Sequence, residues 1–239
     1  MRSARGETSE RHSAMRSKPG WMDRIYLRCS FSRRFDGLWI GVFWGDNPEA
    51  ALSRVEEALE LIKTHDRRRY NRLMRDLERV WVRLLFGCWG CYNSSLRGCE
   101  LDRRFVTDAR TTPELIATVI VHEATHARLH AHGVGSEETM RARVEAVCIR
   151  RELAFTSRLP NAKEVREWSK GKLEWYAVSE YLTDAAQEQC FREDLIEEWQ
   201  KAGLPGRLVP VMLAPRRTML AVRRTIKAVF HGAVMCLTL

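Results

Sequence analysis

The stretch Leu115-Ile116-Ala117-Thr118-Val119-Ile120-Val121-His122-Glu123-Ala124-Thr125-His126 decides how the rest of the chain is read. An apolar run leads directly into H-E-x-x-H, so the motif belongs to a buried helix and not to a loop. Thr111-Thr112-Pro113-Glu114 marks its start, with a threonine cap, proline in the first turn and an early carboxylate. Gly133 marks its end. On this helix Leu115, Val119, His122, Glu123 and His126 share the face that periodicity assigns to the core. Two histidines and a glutamate there are costly unless something pairs with them. His122 and His126 stand one turn apart, so both imidazoles can grip one metal ion. Glu123, beside them, can take a proton from water held at that ion.

A catalytic zinc takes three protein ligands and leaves one position for water. His130 lies eight residues beyond His122 on the same helix. That is roughly 12 Å along the axis, too far to converge. His132 fails in the same way unless the helix has ended. Glu145 is the better third ligand. It follows the Gly133-Val134-Gly135 reversal, eighteen residues after His126, on a helix that returns antiparallel to the first. Its neighbours Ala142, Ala146 and Cys148 are small and allow close approach. The alternative is a solvated carboxylate paired with Arg141 one turn earlier.

The pattern His122-Glu123-x-x-His126, eighteen residues, then Glu145 resembles the gluzincin branch of the zincin metallopeptidases. Aminopeptidases of the alanyl type use this spacing, and thermolysin-like enzymes use one residue more. The resemblance covers residues 111 to about 155, less than a fifth of the chain. It implies a zincin-like fold, a Zn²⁺ cofactor, His122, His126 and Glu145 as ligands, Glu123 as general base, and a peptide or protein substrate. The chain lacks the Gly-x-Met-Glu-Asn exopeptidase motif, so the likeness extends to the zinc chemistry and not to a particular substrate. In zincins an edge strand before the motif helix holds the substrate backbone. Residues 86–106 stand in that place, with Tyr92, Asn93, Ser94 and Ser95 either bordering the cleft or forming an ordinary turn. Candidates to stabilise an oxyanion are Tyr176, Tyr181, His130 and Arg128, against simple packing for the tyrosines.

The flanking pattern predicts a hairpin of strands over 24–29 and 38–43, joined through Asp36-Gly37. Asn47-Pro48 opens a helix with apolar positions Ala51, Leu52, Val55, Ala58, Leu59 and Leu61. A break near His65-Asp66 precedes a second helix over 67–78. Strands are expected at 80–86 and 99–106, with a turn-like segment over 87–98. Beyond the motif helix, Ser136-Glu137-Glu138 starts a helix to about residue 155, and helices follow over 162–171 and 173–201. The fold class is therefore α+β: a zincin-like small mixed sheet, an edge strand over the metal-binding helix, and a helical C-terminal half. Residues 1–20 are expected to be disordered, 21–200 to form the metallohydrolase domain, and 201–239 to form a basic tail or helix.

Composition narrows the function classes. The 239 residues carry a net charge of +9. Residues 201–239 hold +7 and residues 1–20 hold +3, which leaves the body at −1. A basic nucleic-acid groove within the fold is thus not expected. The tail could contact an acidic partner or a membrane surface. No run of 18 apolar residues and no apolar leader is present, so a cytoplasmic protein is expected. Seven cysteines, an odd number, suit reduced thiols. Cys88-Trp89-Gly90-Cys91 with Cys99 admits a structural zinc site, a redox pair or a deformylase-like ligand, none with its usual context. The rival to an enzyme is a zincin-like regulatory or interaction module that docks through its basic tail.

Overall fold

The computed structural model describes residues 19–45, 47–135, 137–178, 182–201 and 203. Ser136, Tyr181, the expected disorder of residues 1–18 and nearly all of the basic tail lie outside them. The Asp36-Gly37 turn sets the first pairing. Both residues have positive φ, 48° and 92°, as a two-residue hairpin loop requires. Such a loop pairs the residues directly beside it. β1 (Phe31–Phe35) therefore runs antiparallel to β2 (Leu38–Val42), with Phe35 opposite Leu38. The expected strand over 24–29 is corrected by the same geometry. It falls outside the hairpin register and forms part of α1 (Trp21–Arg28), a helix with Asp23 in its first turn and Arg28 in its last.

α2 (Pro48–His65) starts as expected, with Asn47 Oδ1 accepting from the Ala50 amide at 3.0 Å. Its buried stripe is Ala51, Leu52, Val55, Ala58, Leu59 and Ile62. Asp66 closes it and caps α3 (Arg67–Asp76), accepting from the Arg69 amide at 3.1 Å. β3 (Arg79–Arg83) pairs parallel to β2. The segment expected to be only a turn contains β4 (Gly90–Asn93), antiparallel to β5 (Gly98–Asp102), which is itself parallel to β3. Sheet order is β1-β2-β3-β5-β4, a five-stranded mixed sheet with β4 at one edge. β4 escapes a propensity reading because its Gly90 and Asn93 are poor strand formers, and pairing and packing distant in sequence hold it. The expected strand over 99–106 stops at Asp102, whose carboxylate caps α4 (Arg103–Thr107).

The C-terminal half is helical: α5 (Pro113–Ala131), α6 (Glu138–Thr156), α7 (Lys163–Val178) and α8 (Asp184–Lys201). Thr112 Oγ1 accepts from the Leu115 amide at 3.2 Å, as the cap predicts. Gly133, at φ 78°, ends α5, and the Val134 amide donates back to the Leu129 carbonyl at 3.0 Å. Gly171 does not divide α7. A mid-helix glycine costs only about 1 kcal/mol, and the buried Val165 and Ser169 anchor the turns before it.

One sheet face, through Ile40, Val42, Val80, Val82, Cys99 and Leu101, packs into a core with α2 and α5. The other face carries Trp81, which donates from Nε1 to Ser30 Oγ at 3.0 Å, and Phe43 against Tyr26 at 4.6 Å between rings. Trp89 stacks between Phe105 of α4 and Trp168 of α7, at 4.9 and 5.3 Å, and so ties the entry of β4 to α7. The described chain divides into two units after Cys190. All the residues discussed below lie in the first. Among the described residues no helix is long and apolar enough to cross a membrane.

Asp102 is a test of how this arrangement is held. Its two oxygens accept from the amides of Leu85, Arg104 and Phe105 at 2.9, 2.7 and 3.1 Å, and from Arg104 Nη2 at 2.9 Å. Asp102→Ala leaves buried donors unmatched and is expected to cost about 3 kcal/mol in denaturant unfolding. A loss below about 1 kcal/mol would show that the β3–β4 connection does not depend on it.

Candidate metal centre

The Gly133 reversal lays α6 against α5, and three expected ligands meet there. His122 Nε2 lies 3.0 Å from His126 Nε2. The Glu145 carboxylate spans both, with Oε2 at 3.2 Å from His122 Nε2 and Oε1 at 3.4 Å from His126 Nε2. Arg141, the alternative partner of Glu145, instead binds Asp184 at 2.6 Å and the Leu182 carbonyl. Tetrahedral zinc with bonds of about 2.0–2.1 Å holds its ligand atoms about 3.3 Å apart. The donor set and its spacing therefore fit a zinc ion.

His122 is fixed from behind. Its Nδ1 pairs with Glu152 Oε1 on α6, a residue the sequence reading missed. With Nδ1–H donated to a carboxylate, Nε2 would offer its lone pair to a metal at the centre. Glu152 is completely buried and accepts further bonds from Ser169 Oγ at 2.9 Å and Lys172 Nζ at 2.8 Å, both on α7. Lys172 Nζ also sits 4.2 Å from the Trp168 ring centre. The missed signal is spacing. Glu145, Cys148 and Glu152 follow one another by three and four residues and so share a helix face.

Electrostatics in the centre are strongly coupled. Burial opposes the charged form of His122, yet its bonds to Glu145 and Glu152 raise its pKa to about 10. Burial likewise acts against Glu145, but His122 and His126 hold its carboxyl well below the usual range. Glu152 is lowered against the same opposition, first by His122. Glu123 is buried beside them, and that burial raises its pKa despite His122 and His126. Cys148 is fully buried, and burial together with Glu145, Glu123 and Glu152 pushes its thiol up. Its sulfur and the nitrogens of His122 and His126 all lie within 4.8 Å of one another. Cys88, Cys91 and Cys99 belong to no such group among the described residues.

The remaining candidates divide clearly. β4 crosses α5 at the motif: a Cβ added to Gly90 would lie 2.6 Å from Val119 Cγ1 and 3.2 Å from Glu123 Oε1. Tyr92, two residues on, points to the same face and packs against His130, with 5.7 Å between rings. His130 thus lies against Tyr92 and away from the ligands. Asn93 points to the opposite face. It donates to Glu100 Oε1 at 2.7 Å and accepts from the Ser95 and Leu96 amides, closing the β4–β5 turn. Arg128 pairs with Asp76 at 3.4 Å and His132 bonds the Arg128 carbonyl at 2.8 Å, both outside the centre. Tyr176 faces it. Burial, then Glu145, Glu152 and Glu123, raise its phenol pKa and keep it a hydrogen donor. A cleft of about 590 Å³ at the start of β2 and β3, near Leu38, Met74 and Arg79, shares no residue with the centre.

No protein-family model, curated protein or solved structure matches the chain.

Gly90 is required by space, so Gly90→Ala is expected to push Val119 and Glu123 away or lift β4. Either response should lower stability by about 1–3 kcal/mol, while Gly171→Ala on open helix should leave it unchanged or higher. Equal melting temperatures for wild type and Gly90→Ala would contradict the close approach.

Proposed function

We propose that the chain is a zinc-dependent hydrolase acting on peptide or amide bonds, built on a zincin-like core. The observation that carries this reading is the meeting of His122 Nε2, His126 Nε2 and both Glu145 oxygens within 3.0–3.4 Å, beside the buried Glu123. Zinc held by those three residues would supply Lewis acidity, polarising a carbonyl and making water nucleophilic near neutral pH.

The chain's own residues supply the rest. Glu123 accepts the proton of the attacking water on its carboxylate and returns it to the leaving nitrogen. The raised pKa that burial gives it suits both halves of that transfer. Glu152 keeps the His122 ring in its ligating tautomer. The Tyr176 phenol, still protonated at neutral pH, can donate to the oxyanion that forms as the carbonyl is attacked. Within the described sheet β4 has β5 on one side only, so its other edge can take an extended chain by strand addition. A peptide is the substrate that such an edge recognises.

Elemental analysis of protein purified without chelator is expected to find about one zinc per chain. His122→Ala and His126→Ala should lose it, Glu145→Ala should weaken it, and His130→Ala should keep it. Glu152→Gln should fold yet bind zinc roughly 10- to 100-fold more weakly in chelator competition. Folded protein with no stoichiometric metal contradicts the reading.

Glu123→Gln separates chemistry from binding. It fills the same space but accepts no proton at neutral pH. It should retain zinc and melting temperature and lose cleavage of an unfolded protein substrate. A variant that keeps most of the wild-type rate would remove Glu123 from the role of base.

A further inference from the structure

Cys148 has no part in the scheme above, yet it occupies the centre. It lies on α6 between Glu145 and Glu152, on the face turned to α5, and is completely buried. A buried cysteine that serves only as a small hydrophobe sits among apolar groups. This one has the ring nitrogens of both motif histidines within 4.8 Å of its sulfur. A tetrahedral zinc with a bond of about 2.3 Å to sulfur and about 2.0–2.1 Å to nitrogen holds those atoms about 3.6 Å apart. Ligand atoms that lie within 4.8 Å of one another can be drawn to that spacing by side-chain adjustment. Glu145, one turn earlier on the same helix, contacts Nε2 of both histidines.

Building on the metal reading, we propose that Cys148 is a fourth ligand, so that the resting centre is a closed set of His122, His126, Glu145 and Cys148. On binding, the thiol gives up its proton to bulk water and ligates as thiolate. When the sulfur leaves, it takes a proton back. Four protein ligands complete a tetrahedron and leave no place for water, as in structural zinc sites. Hydrolysis then requires Cys148 to yield its position, and the thiol sets the fraction of molecules competent to react. The arrangement makes the centre latent by default and places control of the site in one side chain of α6.

The test uses the full chain, stripped of metal and titrated with Co²⁺, whose thiolate complexes absorb in the near ultraviolet by charge transfer. Wild type is expected to bind one equivalent and develop that band. Cys148→Ala and the nearly isosteric Cys148→Ser should still bind one equivalent with the band lost, and His122→Ala should lose both ion and band. X-ray absorption at the zinc edge needs no variant and should report one sulfur neighbour at about 2.3 Å in the wild-type zinc protein. One bound Co²⁺ without the band, a band that survives Cys148→Ala, or a purely nitrogen and oxygen shell overturns the proposal and leaves the three-ligand reading standing. No bound ion in wild type overturns both.

Discussion

Burial of charge between α5 and α6 is the constraint from which the rest follows. Glu123, Glu145 and Glu152 lie with His122, His126 and Lys172 where water has little access. Unpaired, each such charge costs several kcal/mol. With neutral imidazoles and the Cys148 thiol protonated, one ammonium faces three carboxylates and two negative charges remain. A divalent cation is the counter-charge of matching size. Where no cation acts, a proton must, which is why His122 holds one up to a pKa of about 10 although burial opposes it. The pairings also fix the helix register. Sliding α6 by one residue would turn Glu145 and Glu152 away from the histidines together.

The surrounding elements serve this centre. α7 contributes Lys172 and Ser169, which satisfy the two Glu152 oxygens that no backbone amide reaches. α7 is in turn held to the sheet side by Trp168 on Trp89. Trp89 is the residue before β4, and β4 approaches Glu123 closely enough that Gly90 admits no side chain. Glu123, edge strand and supporting lysine are thus connected by packing. A displacement of α7 reaches Glu123 through Trp89 and reaches His122 through Glu152.

What the sequence made legible were the features with local causes. α2 and α5 begin where Asn47 and Thr112 cap them, and α5 stops at Gly133, because caps act within one turn. Glu145 was found because a tight reversal and two helical periods suffice to bring it level with His126. α1 was misread because β-branched and aromatic residues at 24–29 suggest a strand, while the register of the Asp36-Gly37 hairpin, a pairing effect, decided against it. β4 was hidden for the same reason. Glu152 was within reach, since it shares a face with Glu145, but its burial depends on Ser169 and Lys172, and no local pattern relates α7 to α6. Cys148 was read for its size alone, because its nearness to the histidines exists only after the helices pack.

The centre is not equally open on all sides. Glu152 is sealed, while the side chains of His126 and Glu145 remain 17% and 16% exposed, so access is from their side. β4 runs past that opening with one edge unpaired within the described sheet. Successive residues on its inner face, Gly90 and Tyr92, stand over Glu123 and beside His130. An extended chain paired along β4 would pass the base first and the Tyr92–His130 pair two residues later, a spacing of roughly 7 Å along a strand. Side chains of that chain alternate in direction, so those at one parity would turn toward α5 and the others toward solvent. The cleft can then discriminate at alternate positions only. Tyr92 and His130 border one such position, and on the proposed function they would shape what lies there while the chemistry would fall to His122, Glu123, His126 and Glu145.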